Sequence, residues 1–322
     1  MIVKCNLEED MFSIIIVNWN GDKLLTKCLQ SLVNSTYKNF KLYIVDNASH
    51  DNSIDIIKKF SGVLDIDIIQ LDKNYGFAPA NNIAIDKAIN DESDFIITLN
   101  NDIELKDDCL EKALNFINKN KEIDIFQILM INYFNRDIID AIGMEFDSHL
   151  FVNQLGYKDS LENLNKYNIN IDGACAGAAI YSKRCLKKVL EKEKDYFSST
   201  FFAYYEDVDL ALRLKNNGFK SMLIKDSIVY HMHSATGKKT TGLKEYYLTR
   251  NFLLYTKRNQ TKDEYRKNVV FYCKKIIGDF MRSLLSGDYR AFKGVLKGFM
   301  SGIKEVKNIN YRVVSLKGDI ND

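Results

Sequence analysis

Apolar residues in the first part of the chain alternate between two rhythms. Phe12-Ser13-Ile14-Ile15-Ile16-Val17 is a nearly continuous β-branched run, the pattern of a strand buried on both faces, and Leu24, Leu25, Leu29 and Leu32 follow at helical spacing. The pair then repeats: Phe40 to Val45 precedes Ile54, Ile57 and Phe60, and Ile66 to Leu71 precedes a helix from about Ala78 to Ile89. Phe95 to Leu99, a helix from about Asp107 to Asn120 and a strand around Ile123 to Ile131 continue it. This alternation predicts an α/β fold, a doubly wound and mostly parallel sheet flanked by helices. Asp22 is placed to cap the first helix.

Beyond residue 131 the rhythm loosens, and residues 132–170 read as irregular or as a small antiparallel excursion beside the sheet. In Asp172 to Ile180, small residues allow close backbone packing or close approach of a ligand. Phe201-Phe202-Ala203-Tyr204-Tyr205-Glu206-Asp207-Val208-Asp209-Leu210 then runs into a helix that Gly218 is suited to end. Phe219 to Tyr230 reads as two short strands about Lys225-Asp226. From Leu243 onward the pattern is helical. Lys274, Arg282, Lys293, Lys297 and Lys304 there alternate with Phe280, Leu284, Leu285, Leu296 and Met300. Such a basic amphipathic segment suits either an anionic membrane surface or a helical pair packed on the core with a solvated basic face. The expected division is a domain over residues 1–259, with a nucleotide-binding part at about 12–102 and an acceptor part at about 103–259, followed by a helical extension over 260–322.

Composition narrows the class. With 46% hydrophobic and 27% charged residues the 322-residue chain is not disordered, and a formal net charge of +2 gives no field that would argue for a nucleic-acid partner. The six cysteines show no C-x-x-C spacing, which suits a reducing compartment. Acids at Glu8, Glu9 and Asp10 precede any apolar run, and no stretch reaches the ~18 to 20 apolar residues of a membrane span, so a cytoplasmic protein is expected.

In doubly wound sheets, ligands bind beyond the carboxyl ends of the strands. The strand ends here carry Asn18 and Asn20, then Asp46 and Asn47, then Asn74 with Gly76, then Asn100, Asn101 and Asp102. Asn and Asp are common turn formers, but four such ends in succession point to a shared pocket. Neither a G-x-G-x-x-G nor a G-x-x-x-x-G-K-[ST] loop follows any strand, so diphosphate oxygens need another partner. A divalent cation held by Asp102 among amide oxygens is the natural one, Mn²⁺ or Mg²⁺. Read alone, the acids of the 201–210 stretch complement the positive end of a helix. His231 and His233 lack further ligands at zinc-like spacing; one imidazole can instead complete the Mn²⁺ or Mg²⁺ site, with Lys238 or Lys239 near the phosphates.

Six ordered blocks carry a resemblance: Ile15 to Asn20, Val45 to Ser53, Asn74 to Ala78, Leu99 to Asp102, Tyr205 to Leu210 and Val229 to His231. Over roughly residues 12–257 the chain resembles the family 2 glycosyltransferases of GT-A fold, especially their rhamnosyltransferase-like branch. The resemblance implies that Asp46 reads the base or ribose of a nucleotide sugar, with Asn18, Asn20 and Asn74 lining the cleft. It implies that Asp102 is the last acid of a D-x-D motif holding the metal, with Asn100 at the first position as is common in this branch. Asp207 would be the catalytic base, Glu206 and Asp209 the second choices, and His231 a further metal ligand. The expected activity is inverting transfer of a hexose or deoxyhexose from a UDP- or dTDP-linked donor to a growing cell-surface glycan or lipid-linked saccharide. A catalytically silent sugar-nucleotide-binding scaffold is the alternative. A nucleotidyltransferase would want a Gly-rich, Arg-containing loop after the first strand, which is absent.

Overall fold

A computed structural model describes residues 11–233 and 242–312. In chain order the first half contains β1 (Phe12–Asn18), α1 (Asp22–Asn34), β2 (Phe40–Asp46), α2 (Ser53–Phe60), β3 (Ile66–Gln70), α3 (Phe77–Ala88), β4 (Phe95–Asn100), β5 (Ile103–Leu105), α4 (Cys109–Lys119) and β6 (Ile125–Asn132). The excursion follows as β7 (Ile139–Ala141), a hairpin of β8 (Met144–Phe146) and β9 (Val152–Gln154), a 3₁₀ turn (Leu161–Lys166) and β10 (Asn170–Ile171). The chain then re-enters the sheet through β11 (Ala178–Ser182), α5 (Lys183–Glu193), α6 (Glu206–Asn216) and β12 (Ser221–His231). It ends with α7 (Leu243–Arg258), α8 (Lys262–Leu285) and α9 (Tyr289–Val306).

The main sheet runs β10-β12-β6-β11-β4-β1-β2-β3, with β5 on β12 and β7 on β6. β1, β2, β3 and β4 are mutually parallel, and so are β6 and β12; β11 joins the two groups antiparallel to both β4 and β6. Alternation sorts the side chains onto two buried faces. Ile14, Ile16, Ile97 and Leu99 enter the core under α1 and α4, whereas Ile15, Val45 and Ile96 enter the one under α3 and α5. Both faces being covered explains why these strands read as continuous apolar runs.

Two local expectations change. Asp22 does not cap α1; Gly21 precedes the helix, and the Asp22 backbone N–H donates to Asp51 Oδ2 at 3.0 Å. A Cβ at residue 21 would lie 2.3 Å from the Asn18 and Asn101 side chains, so the turn requires glycine. Residues 219–230 do not form two strands: β12 is continuous, and a register irregularity between Ile224 and Ile228 absorbs the polar Lys225-Asp226 pair. Within 172–180 only the last part is strand. Gly173 there lets the loop lie against α6, where a Cβ would meet that of Ala211 at 2.3 Å.

The C-terminal helices pack as a group. Gly294 and Gly298 bring α9 against the backbone carbonyls of Gly242 and Tyr246, and Arg250 of α7 pairs with Glu305 of α9. α8 starts in a Thr261–Glu264 capping box and touches α9 through Phe280 against Phe292 and Phe299. Residue 259 therefore falls between α7 and α8, whose Phe252, Leu253, Tyr272 and Ile276 share one apolar cluster. Among the described residues no helix is long and apolar enough to cross a membrane.

Candidate functional site

The tips of β1, β2 and β4 are knitted together by side-chain amides. Asn101 Nδ2 donates to Asn18 Oδ1 at 2.8 Å, and Asn18 Nδ2 donates to Asp46 Oδ1 at 3.0 Å. Asp46 Oδ2 accepts from the Ser49 N–H at 2.9 Å, while the Asn20 side chain accepts from the His50 N–H. Asn18, Asp46 and Asn47 are buried and Asn20 is exposed. Asn47 clamps the next loop: Oδ1 accepts from the Tyr75 N–H at 2.8 Å and Nδ2 donates to the Gly76 carbonyl at 3.0 Å. Asn74 Oδ1 accepts from the Gly76 N–H. Gly76 has φ +93, and a Cβ there would fall 2.4 Å from the Phe202 carbonyl. The loop after β3 thus rests directly on the 201–205 segment, where Phe77 N–H also donates to Phe202 O at 2.7 Å.

The 201–205 segment is held from the other side by α7. Buried Asn251 donates through Nδ2 to the carbonyls of Ala203 and Tyr204 at 2.8 and 2.7 Å. Tyr204 and Tyr205 both adopt positive φ, 68 and 74, a conformation that costs bulky L-residues energy and persists where surroundings enforce it. That kink turns the chain abruptly into α6 and sets Glu206 and Asp207 at its first turn.

The three acids meet different fates. Asp207, half-buried, accepts at Oδ1 from the Val208 N–H at 2.8 Å and at Oδ2 from the Ala176 N–H at 3.4 Å. The next residue, Gly177, accepts from the Asn100 N–H at 2.9 Å, so Asp207 is tied to the tip of β4. Glu206 is buried with no hydrogen-bond partner for Oε2 among the described residues, and burial reinforced by the Asp207 charge pushes its carboxyl well above the usual range. Burial also raises Asp207, against the two backbone N–H bonds that favour its anion. Two such neighbours do not both ionise readily; the hydrogen bonds place the charge on Asp207. Asp209 stands apart. It is fully buried, with Oδ2 on Arg213 Nε at 2.7 Å and Oδ1 on Asn259 Nδ2 at 2.8 Å, and it ties α6 to the end of α7 instead of facing the cleft.

Asp102 and His231 come together. His231 ends β12 opposite Ile103, Met232 N–H donates to the Asp102 carbonyl, and His231 Nε2 lies 3.2 Å from Asp102 Oδ1. The other ring nitrogen, Nδ1, is 2.5 Å from Asp140 Oδ2, and His233 Nε2 bonds to Asp140 Oδ1. Burial alone would lower the His231 imidazole, but the carboxylates on both its nitrogens push it up to about 9. Burial would raise Asp140, yet the two histidines hold it at about 2. Carboxylate and imidazole side by side form a donor set suited to Mn²⁺ or Mg²⁺, with Asp140 orienting the imidazole from behind, as outer carboxylates commonly do. Asp140, His231 and His233 also converge closely enough to hold an ion by themselves. Asp140 and Asn251 escape sequence reasoning. The only signal for the first is an acid inside the apolar run Ile138 to Ile142, and for the second a polar residue on the inner face of a helix. Lys238 and Lys239 lie outside the described residues.

Known proteins share this architecture. GalNAc-T7, in a crystal structure with UDP, GalNAc and Mn²⁺, superposes with a TM-score of 0.55 over 86% of this chain and 58% of that one, at 14% identity. The poly(ribitol-phosphate) beta-N-acetylglucosaminyltransferase TarS of Staphylococcus aureus is 21% identical over 230 residues, 70% of this chain and 36% of TarS. Its 1–349 fragment with UDP-GlcNAc superposes with a TM-score of 0.54 over 96% of this chain and 95% of the fragment, at 16% identity. An uncharacterized glycosyltransferase of Haemophilus influenzae is 34% identical over 114 residues, 34% of this chain and 43% of that protein. The chain therefore spans less than half the length of these two sequence relatives. The family described as Glycosyl transferase family 2 matches residues 13–190, from β1 into α5 and more than half of the chain. The chain belongs to glycosyl transferase family 2.

Proposed function

We propose that the protein is an inverting, metal-dependent glycosyltransferase. It moves a hexose or deoxyhexose, rhamnose among the candidates, from a UDP- or dTDP-linked donor to a hydroxyl of a growing cell-surface glycan or lipid-linked saccharide. The observation that carries this reading is the Asp207 carboxylate tied through Ala176 and Gly177 to the tip of β4, the strand that leads into Asp102.

In this reading Asp46 recognises the base or ribose, and Asn18, Asn20, Asn47, Asn74 and Gly76 shape the cleft around it. Asn100 and Asn101 present amide groups beside the diphosphate. Asp102 and His231 would hold Mn²⁺ or Mg²⁺, which supplies Lewis-acid stabilisation of the departing diphosphate charge. Asp207 takes the proton from the acceptor hydroxyl as that oxygen attacks the anomeric carbon on the face opposite the diphosphate, so one displacement inverts the centre. Burial raises the Asp207 carboxyl toward the working pH and strengthens it as a base. Neutral Glu206 beside it serves as a hydrogen-bond donor that orients base or acceptor.

The TarS and GalNAc-T7 structures hold UDP-linked ligands or UDP, which supports the donor class. The test is Asp207→Asn. Donor binding and fold should persist while kcat falls by about 10² to 10⁴, the usual worth of a general base. Calorimetric donor titration and a transfer assay separate the two, and wild-type turnover in the variant would remove Asp207 from the reaction.

A further inference from the structure

α8 and α9 carry an outward face that nothing in the transfer chemistry uses. On α9 the inner face is set by Gly294, Gly298 and Gly302, spaced four residues apart and pressed on the Gly242 and Tyr246 backbone and on Leu253. This spacing fixes the opposite face outward, and it consists of Leu296, Met300 and Ile303, flanked by exposed Lys293, Lys297 and Lys304. On α8, Val270, Ile277, Met281 and Leu284 recur at helical spacing and are likewise exposed, Ile277 by 61% and Leu284 by 58%. Phe280, whose ring meets Phe292 and Phe299 of α9, falls at i+3 from Ile277 and i−4 from Leu284, so the α8 stripe borders the joint between the helices. Exposed apolar stripes rimmed by charge on two neighbouring helices mark a docking face.

Charge decides what docks. Residues 262–306 contain ten Lys and Arg against five Asp and Glu. Three of the acids are engaged elsewhere, Glu264 in the α8 cap, Asp288 in the α9 cap and Glu305 on Arg250, while Asp279 pairs with Lys275 of the same helix, and Lys293, Lys297 and Lys304 stay exposed. A second copy of the chain meeting this face would bring the same excess of Lys and Arg against itself, which like-charge repulsion opposes. A bilayer surface offers apolar depth for the stripe and phosphates for its rim. We propose that the outer face of α8 and α9 seats the protein on an anionic lipid surface.

The seating is independent of the transfer reaction and is read without it. The full chain is sedimented with vesicles of phosphatidylcholine containing about one third phosphatidylglycerol, and with pure phosphatidylcholine, at low and at high salt. Binding should be about tenfold stronger on the anionic vesicles and should weaken with salt. Ile277→Ser with Leu284→Ser and Met300→Ser, and separately Lys293→Gln with Lys297→Gln and Lys304→Gln, should each lower it several-fold with the melting temperature and donor binding unchanged. Equal sedimentation on both vesicles, or vesicle binding that neither variant lowers, overturns the proposal. A concentration-dependent dimer that the serine variant dissolves, without vesicle binding, overturns it in favour of self-association.

Discussion

Under the proposed function, the two ends of the cleft are built on opposite principles. At the donor end, Asn18, Asp46, Asn47, Asn74 and Asn101 bond to one another or to backbone at normal distances within a few loops, and each sits where a strand stops. Where metal and base are proposed, the Glu206–Asp207 pair opening α6, His231 ending β12 and Asp140 on β7 come from separate elements, in a setting of positive-φ tyrosines, a buried Glu206 oxygen with no partner among the described residues and a carboxylate shared by two histidines. The first is a rigid mould, satisfied before any ligand arrives. The second holds polar groups whose state shifts with what binds, which suits the half of a site where protons and charge move.

The largest effect that separates the two ends should come from Asp140→Asn. Asp140 accepts from both His231 and His233, so its loss frees the His231 ring to turn away from Asp102. Loss of an outer partner typically costs about 10- to 100-fold in metal affinity. Mn²⁺ titration followed by electron paramagnetic resonance should show that drop, while affinity for free nucleotide without metal, set at the strand tips, stays the same. Equal Mn²⁺ affinity in variant and wild type would make Asp140 a mere packing residue.

This difference in construction also explains what was legible in the sequence. The doubly wound sheet follows from runs such as Ile14 to Val17 and Tyr43 to Val45, because burial on both faces leaves an unbroken apolar signature. The donor-end residues were readable because each follows its strand directly. Asp102 and His231 were readable as chemistry-bearing types, and the fold does bring them within 3.2 Å. Asp140 was not, since its partners lie about ninety residues away and only the β6–β7 pairing delivers it. Asp209 shows the reverse: it reads as a second choice beside Asp207 in the sequence, yet two helical positions turn it inward onto Arg213. The unity of β12 was hidden because Lys225-Asp226 looks like a turn, and only the neighbouring β6 keeps the strand going.

Asn251→Ala should act next in size. Its amide supports the Ala203 and Tyr204 carbonyls and hence the two positive-φ tyrosines, and removing it should cost about 1 to 3 kcal/mol of stability. Because the supported carbonyls of Ala203 and Tyr204 lead straight into Glu206 and Asp207, while the Gly76 loop rests on Phe202 before them, kcat should fall more than donor affinity does. Thermal unfolding together with a split of kcat from donor KM checks this; a variant in which only donor KM moves would erase the distinction between the two ends.

The smallest effect tests the charge state assigned to the acid pair. Burial and the adjacent Asp207 raise the Glu206 carboxyl in the folded chain above its ordinary value of 4.5, so the folded state keeps a proton that the unfolded state gives up. The stabilisation this provides is complete below pH 4.5 and is lost as pH rises toward and through the folded value. One proton limits the slope to about 1.4 kcal/mol per pH unit. Glu206→Gln keeps the neutral shape at every pH, so urea unfolding at a series of pH values should show the variant gaining on the wild type as pH increases. Acids remote from the pair titrate alike in both proteins, so the difference reads Glu206 together with its adjacent Asp207. Parallel curves would mean that its proton is held no more tightly folded than unfolded, and that the negative charge is not confined to Asp207.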